Sequence, residues 1–422
     1  MLKETWFIIK TIGNISYNGI KYLINRDYDK YLINIANYLS NENLFYIKLM
    51  QALSSNNDLL TPRLTDYFIN FTDNVPYKQD EVDYSFLTTI KTIKTTNPEL
   101  SIDESTLTYI NSGIIAIVFK ANMNGKDIII KTVRKNIDSK INEAITNIEF
   151  IINILKHFHY FRLSTIVDIF IENKKLMLDQ SNFINEMNNM ITFRKKISSQ
   201  NEIVIPIVYE EFTKENPNII VMDFIQGYKL KDITNVDEME RYTRIMAKFW
   251  VKCYIFYGMY HCDIHPGNVI FMKDNNNDNL KICLIDFGII GTLTKEEKNN
   301  LLLFMMNIGK QDYDELTHTL LSYFTQPPGL VDSLTTDEYD DVYTNIMHIC
   351  RDKFSNAQNI AAVDILNMNK HMYKYNYKMS NDFSKLELAL VISDSVINKL
   401  VGDKRYFNYL IDAIKEIIPD YD

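Results

Sequence analysis

Two short polar motifs on either side of a strand pair constrain this chain more than anything else in it. The segment HCDIHPGNVIF sets Asp263 five positions ahead of Asn268, immediately before the strand-like run NVIFM. A second run, LKICLIDF, reads as its hairpin partner beyond the solvated turn KDNNNDN, and it ends on Asp286-Phe287-Gly288. A carboxylate at a strand end suits a hard divalent cation, which prefers oxygen ligands and accepts one or two protein groups when phosphate supplies the rest. Singly each motif is weak, because an Asp-x-x-x-x-Asn spacing arises by chance and an Asp-Phe-Gly can simply end a strand. Their order around the strand pair makes the combination specific. Four of the twelve glycines fall between 258 and 291, so unusual backbone conformations concentrate in the same region.

The rest of the chain changes character along its length. Residues 1 to 85 read as helices with short breaks, one of them at NNDLLTP, where Pro62 opens the helix LTDYFINF. From residue 105 short β-like runs follow, TLTYI, IIAIVFKA and DIIIKTV, with Asn124-Gly125 as the turn between the last two. Helical stretches occupy 140 to 200, and IVIPIVYEE and NIIVMDF read as two further strands around KENPN. Beyond 230 the pattern is mostly helical, as in KEEKNNLLLFMMNIG and SKLELALVISDSVINKL. The expected fold class is α+β, a small sheet-bearing lobe followed by a larger helical one.

Composition removes several function classes. With 45 basic against 54 acidic residues the net charge is −9, and no Lys/Arg block is long enough to neutralise a phosphate backbone, so nucleic acid is not an expected partner. Cys253, Cys262, Cys283 and Cys350 show neither CxxC spacing nor paired metal-ligand clusters, which argues against a disulfide framework and a zinc site and for a reducing compartment. The opening MLKETWFIIKTIGNISYNGIKYLI spaces Trp6, Ile9, Ile12, Ile20 and Ile24 in partly helical fashion, but Lys3, Glu4 and Lys10 interrupt it, and it is too short to span a membrane. It reads as a helix docked on the protein's own core or as one lying on a membrane surface. No secretory cleavage pattern follows it. A cytoplasmic or peripherally membrane-associated protein is expected.

The interval from Asp263 to Asn268 is that of a protein-kinase catalytic loop, in which the Asp meets the attacking hydroxyl and the Asn ligates magnesium. Upstream, Lys131 interrupts the apolar run Ile128-Ile129-Ile130. A buried cation needs an anionic partner, and phosphate oxygens supply one; a lysine snorkelling from a sheet edge reads equally well from this segment alone. Together with the downstream motifs the phosphate reading prevails. Asn111-Ser112-Gly113-Ile114-Ile115-Ala116-Ile117-Val118 overlays a G-x-G-x-x-G-x-V phosphate loop with only the middle glycine kept, although an ordinary strand-turn-strand would look the same. Glu186, in FINEMNNMITF, is the best candidate to pair with Lys131, with an exposed helical glutamate as the alternative. VMDFIQG, with Asp223 and Phe224, suits a hinge whose backbone receives adenine, and Asp223 reads equally as a loop carboxylate. Cys262 and His265 are read as structural.

These residues resemble the UbiB-like (ADCK) family of atypical kinases more than ordinary protein kinases. HCDIHPGNVIF is similar to that family's H-x-D-x-H-P-G-N segment and LIDFGIIGTL to its L-I-D-F-G continuation. YIKLMQALSSNNDLLTPRLTDYFINFTDNVP resembles its K-x-G-Q extension, with Lys48 and Gln51 matching and Met50 standing where the motif has Gly. SGIIAIV resembles the Ala-rich phosphate loop, Gly113 replacing an Ala and Ile117 a Gln. FINEMNNM resembles F-x-x-E-A-x-N and strengthens Glu186 as the lysine partner, while Gln180-Ser181-Asn182 takes the place of an E-x-D pair of carboxylates. The resemblance runs from about residue 40 to 325, and the membrane-spanning tail of some bacterial relatives has no counterpart in the closing EIIPDYD.

The resemblance implies a bilobal kinase-like fold: an N-terminal helical extension over 1–85 that packs over the active site, a small lobe with inserted helices over 86–225, and a helical large lobe over 226–422. It implies ATP and Mg²⁺ as cofactors. Lys131, Gly113, Ala116, Val118, Lys48, Gln51, Asp223 and Phe224 would contact nucleotide, Asn268 and Asp286 the metal, and Asp263, Lys131 and Glu186 would carry the chemistry. The expected activity is ATP hydrolysis or phosphoryl transfer to a non-protein acceptor, in isoprenoid lipid or quinone metabolism. The rival expectation is an ATP-binding pseudokinase that regulates a partner or a lipid-associated complex.

Overall fold

A computed structural model of the protein describes residues 2–43, 45–46, 63–64, 67, 75, 77–155, 181–274, 279–355, 362–380, 383, 396–397, 399–401 and 406–417. In chain order its main elements begin with α1 (Leu2–Asn25), α2 (Tyr28–Glu42), α3 (Ser85–Thr96), β1 (Ile102–Ser112), β2 (Ala116–Met123), β3 (Lys126–Val133), α4 (Ile137–Leu155) and α5 (Phe183–Lys196). There follow β4 (Ile203–Val204), α6 (Glu210–Glu215), β5 (Ile219–Asp223), α7 (Val236–Lys252), β6 (Met259–His261), β7 (Val269–Lys273), β8 (Leu280–Leu284), β9 (Ile290–Thr292) and α8 (Lys295–Lys310). The C-terminal helices are α9 (Tyr313–Tyr323), α10 (Thr336–Phe354), α11 (Ala362–Met372) and α12 (Tyr406–Ile417). Lys48, Met50, Gln51, Gln180, the break at NNDLLTP, and all or most of LTDYFINF and SKLELALVISDSVINKL lie outside the described residues.

Two compact units form, one from Met1–Asn188 and Ile207–Phe224, the other from Asn189–Pro206 and Ile225–Asp422. The first holds an antiparallel sheet in the order β1-β2-β3-β5. Its central hairpin closes on two residues with positive φ, Asn124 at 51° and Gly125 at 86°, the backbone that a tight turn between right-twisted strands requires. That turn sets the register, Met123 opposite Lys126 and Val118 opposite Lys131. Alternate residues of the strands, Ile117, Phe119 and Ala121 on β2 and Ile128 and Ile130 on β3, then share one face. Against it pack Phe86, Ile90 and Ile93 of α3, spaced to lie on one side of a helix.

The second unit contains a three-stranded sheet in the order β4-β8-β7 and the separate pair β6-β9. NVIFM and LKICLIDF do pair as an antiparallel hairpin, Val269 opposite Leu284. IVIPIVYEE is not the single strand expected: Ile203–Val204 pairs parallel to β8, Val208 bridges antiparallel to Met222 of β5, and Glu210–Glu215 is helical. Pro206 has no N–H for a ladder, and Glu210 and Glu211 place carboxylates at a helix start, where the dipole favours them. α7 buries Tyr242, Met246, Phe249 and Trp250 and ends in a π turn, Cys253–Tyr257, stopped by Gly258 at φ 59°. A Cβ at Gly258 would also lie 2.9 Å from the Leu293 carbonyl, so the entry into β6 needs glycine for conformation and for space.

Candidate active site

In the first unit β3 carries Lys131, whose Nζ donates to both carboxylate oxygens of Glu186, at 2.8 and 2.9 Å. The side chains are 13% and 2% exposed, so the pair is held in a low-dielectric setting where either charge alone would be costly. The Lys131 ammonium also lies 5.2 Å from the centre of the Phe183 ring. Glu186 occupies the first turn of α5, whose start is capped by the Asn182 side-chain oxygen accepting from the Asn185 N–H at 3.1 Å.

The β1–β2 turn is clamped from outside. Gly113 donates its N–H to the Ala116 carbonyl at 2.9 Å, and Arg134 just after β3 reaches the turn twice: its Nε donates to the Gly113 carbonyl at 2.9 Å and its backbone N–H to the Ile115 carbonyl at 2.8 Å. The same guanidinium donates to Glu81 at 2.7 Å and to the Val75 carbonyl at 3.1 Å, and Arg134 is among the largest fully buried side chains. Sequence reading missed Arg134, because nothing in KTVRK marks this arginine as interior. A Cβ at Gly113 would meet nothing within 4 Å, so packing does not demand the glycine kept there. Ala116 is buried and Val118 lies opposite Lys131. At the end of β5, the Asp223 carboxylate accepts from Lys126 Nζ and the Tyr209 hydroxyl, each at 2.7 Å. The Phe224 N–H donates to the Asp127 carbonyl at 3.2 Å, so the sheet already uses that donor.

In the second unit β6 delivers the catalytic-loop motif, and the five-residue interval is closed by hydrogen bonds. The Asp263 carbonyl accepts from Asn268 Nδ2 at 3.0 Å and from the His265 N–H at 3.2 Å. The Asn268 N–H donates to the His265 carbonyl at 2.9 Å, and His265 Nδ1 accepts from the Gly267 N–H at 3.1 Å, capping the short turn Pro266–Asn268. Because Nδ2 is committed to Asp263, the amide oxygen of Asn268 is the end that can face a ligand. The Asp286 carboxylate accepts from the Gly288 N–H at 3.0 Å.

His261 joins the two motifs. Its Nδ1 accepts from the Asp263 N–H at 3.0 Å, which puts the ring proton on Nε2, and Nε2–H donates to the Asp286 carbonyl. Burial pushes the His261 imidazole below its ordinary pKa, outweighing the Asp286 carbonyl and the nearby carboxylates, so the neutral ring that can do both jobs is the stable one. The ring packs 5.0 Å from Phe287, which in turn lies 5.4 Å from Phe193. Asn189 Nδ2 donates to the Phe287 carbonyl at 2.9 Å. His261 and Asn189 were both missed from sequence, although each stands inside a motif already quoted, as the first His of H-x-D and the last residue of FINEMNN.

Lys131 and Glu186 are thus brought together in the first unit, with Gly113, Ala116, Val118, Asp223 and Phe224 on the same sheet or at its ends. Asp263, Asn268 and Asp286 are brought together in the second, and Lys48 and Gln51 lie outside the described residues. The donors at Asn268 and Asp286 are both oxygens. Among the described residues no group of three or more His, Cys, Asp or Glu is placed to hold a metal on its own. That donor set fits magnesium carried with a phosphate ligand, which takes only one or two protein groups.

The family model described as the ABC1 atypical kinase-like domain matches residues 80–320. An uncharacterised chloroplastic aarF domain-containing protein kinase of Arabidopsis thaliana is 22% identical over 362 residues, covering 83% of this chain and 48% of that protein. A probable protein kinase UbiB of Aeromonas hydrophila is 27% identical over 296 residues, 67% of this chain and 52% of that protein. The chain spans about half the length of the curated relatives it matches. A Mycobacterium tuberculosis structure, solved as an Rv3197–erythromycin complex, superposes with a TM-score of 0.50 at 15% identity, over 88% of this chain and 91% of that one. The likeness establishes a shared kinase-like α+β fold.

Proposed function

The chain belongs to the family of ABC1 atypical kinase-like domains, and from that premise we propose that it binds magnesium and ATP and transfers or hydrolyses the terminal phosphoryl group. The observation that carries this reading is the buried Lys131–Glu186 ion pair, a cation fixed by two short bonds on a strand beside a glycine-containing turn. Lys131 engages the α- and β-phosphates, and Glu186 keeps its ammonium in position. Gly113, Ala116 and Val118 cover the phosphates, and Asp223 and Phe224 flank the base. Asn268 and Asp286 hold magnesium, which when bound neutralises charge on the phosphate oxygens. Asp263 orients the acceptor oxygen and takes its proton as the new P–O bond forms, the bond to the β-phosphate oxygen breaks and ADP leaves. His261 keeps Asp263 and Asp286 in fixed relation by bonding the backbone of both. By the family resemblance Lys48 and Gln51 lie over the nucleotide, and the acceptor is water or a non-protein hydroxyl of isoprenoid lipid or quinone metabolism.

A second reading, a pseudokinase that binds ATP and regulates a partner, is favoured by one feature. Asn182, which stands where relatives carry a second carboxylate, spends its side chain capping α5. Two measurements separate the readings. In a thermal-shift titration, Mg-ATP should stabilise the wild type, and Asp286→Asn should abolish the magnesium-dependent part; an unchanged response would remove the metal assignment. Radiolabelled ATP turnover should fall at least about a hundredfold in Asp263→Ala, the scale of a lost general base. Equal, background-level turnover in both proteins would leave the pseudokinase.

A further inference from the structure

α1 has two unlike faces. Phe7, Thr11 and Asn18 are buried: Phe7 stacks on Tyr46 with ring centroids 5.2 Å apart, and Asn18 accepts from Asn34 of α2 at 3.2 Å. The other face presents Trp6, Ile9, Ile12, Ile20, Leu23 and Ile24, each more than half exposed and Ile24 75% exposed. At 1.5 Å per residue the stripe from Trp6 to Ile24 is about 27 Å long, an apolar run that a water-facing helix does not normally carry.

Charge along the helix identifies what covers it. α1 has Lys3, Lys10 and Lys21 against the single acid Glu4, in a chain whose net charge is −9. Lys10 and Lys21 line one edge of the stripe beside its aromatic residues, their ammonium groups 5.9 Å from the Trp6 ring and 4.2 Å from the Tyr17 ring, and Lys10 also reaches Glu42 at 3.5 Å. Broad apolar faces edged by lysine, tryptophan and tyrosine match a bilayer surface, where the rings and ammonium groups take headgroup depth and the aliphatic side chains enter the acyl boundary. In a two-fold contact through this face the lysine edges of two copies would meet like charge. No described helix is long and apolar enough to cross a membrane, so α1 would lie along one.

We propose that the exposed face of α1 is a docking surface for an anionic phospholipid membrane. The inference stands apart from the nucleotide site, and its failure would leave the Mg-ATP titration untouched. The test is flotation of the full-length protein with vesicles of phosphatidylcholine alone or mixed with phosphatidylserine. The wild type should float with the mixed vesicles. Ile9→Ser/Ile20→Ser, placed at 56% and 61% exposed positions and so leaving the melting temperature unchanged, should lose at least about tenfold in binding. Lys10→Glu/Lys21→Glu should lose about tenfold on the mixed vesicles alone. On binding, Trp6 emission should move to the blue and be quenched by brominated lipid, whereas Trp250, the only other tryptophan, is fully buried and should not respond. The proposal is overturned by a wild type that floats with neither vesicle, or by either double variant binding as the wild type does. It is also overturned if light scattering finds a dimer that Ile9→Ser/Ile20→Ser dissociates while vesicles leave Trp6 unchanged, which would make the face a self-association surface.

Discussion

Replacing Lys131 by methionine keeps most of the side-chain volume and removes the cation, leaving Glu186 with a carboxylate that is only 2% exposed. Two outcomes compete. The carboxylate can remain charged without its partner, at a cost of about 3–5 kcal/mol for a broken buried pair. Alternatively it can take up a proton, which for a carboxylic acid of ordinary acidity costs about 3–4 kcal/mol at pH 7 and about 1 kcal/mol at pH 5. The cheaper route sets the loss, so Lys131→Met should cost about 3–4 kcal/mol at pH 7 and much less at pH 5. At 2–4 °C per kcal/mol for a folding unit of 150–250 residues, the melting temperature should drop by roughly 6–16 °C at pH 7. Removing both charges, in Lys131→Met/Glu186→Met, should recover most of that loss, because a buried ion pair and its apolar replacement are often similar in stability. Differential scanning calorimetry of the wild type, the single variant and the double variant at both pH values completes the cycle. If the single variant melts with the wild type at pH 7, or the double variant is no more stable than the single one, the pair is not a buried, mutually dependent one and the reasoning fails.

Three further outcomes are expected. Glu81→Ala should destabilise the protein by about 2–3 kcal/mol, since it removes the carboxylate that pairs with the buried Arg134 guanidinium. Burial opposes ionisation of Glu81, but its bonds from Lys140 and the Lys78 N–H and the charges of Arg134 and Lys140 hold its pKa below the ordinary carboxylate value. This stabilisation is therefore complete above the unfolded pKa and fades as pH falls through the lower folded one, so the gap between variant and wild-type melting temperatures should narrow on acidification. Gly291→Ala would put a Cβ 2.1 Å from the ring of Tyr260, itself buried, and should cost about 1–3 kcal/mol in thermal unfolding. N-Ethylmaleimide at pH 8 should add once to the native chain, at the half-buried Cys262, as read by peptide mass spectrometry. Burial pushes the Cys283 and Cys350 thiols up to about 12 and raises that of Cys253 as well, so these three should react only after unfolding, and early modification of any of them would contradict the packing.

Features legible from sequence share a short range. Asn124-Gly125 announces its own turn, because the positive φ values it adopts are available to those two residues whatever surrounds them. The hairpin of β7 and β8 follows from two apolar runs flanking an Asn/Asp turn, and the interval between Asp263 and Asn268 is a property of one loop. IVIPIVYEE misled because its apolar pattern does not say which partner edge each part will meet; tertiary context puts Ile203–Val204 on β8 and Val208 against Met222 of β5, and lets Glu210–Glu215 coil.

The sequence alone therefore determined the α+β class, the linear order of the Lys131, Asp263, Asn268 and Asp286 segments, and the oxygen chemistry at their ends. Only the tertiary structure decided that Lys131 meets Glu186, 55 positions further along the chain, that Arg134 is an interior clamp joining Glu81 and Val75 to the Gly113 turn, and that His261 ties Asp263 to Asp286. The reason is the same each time. Turn, cap and loop preferences act over a few residues and leave a mark in the local sequence. The fate of a polar side chain depends on whether folding removes its water and which distant group replaces it, and no local pattern encodes that.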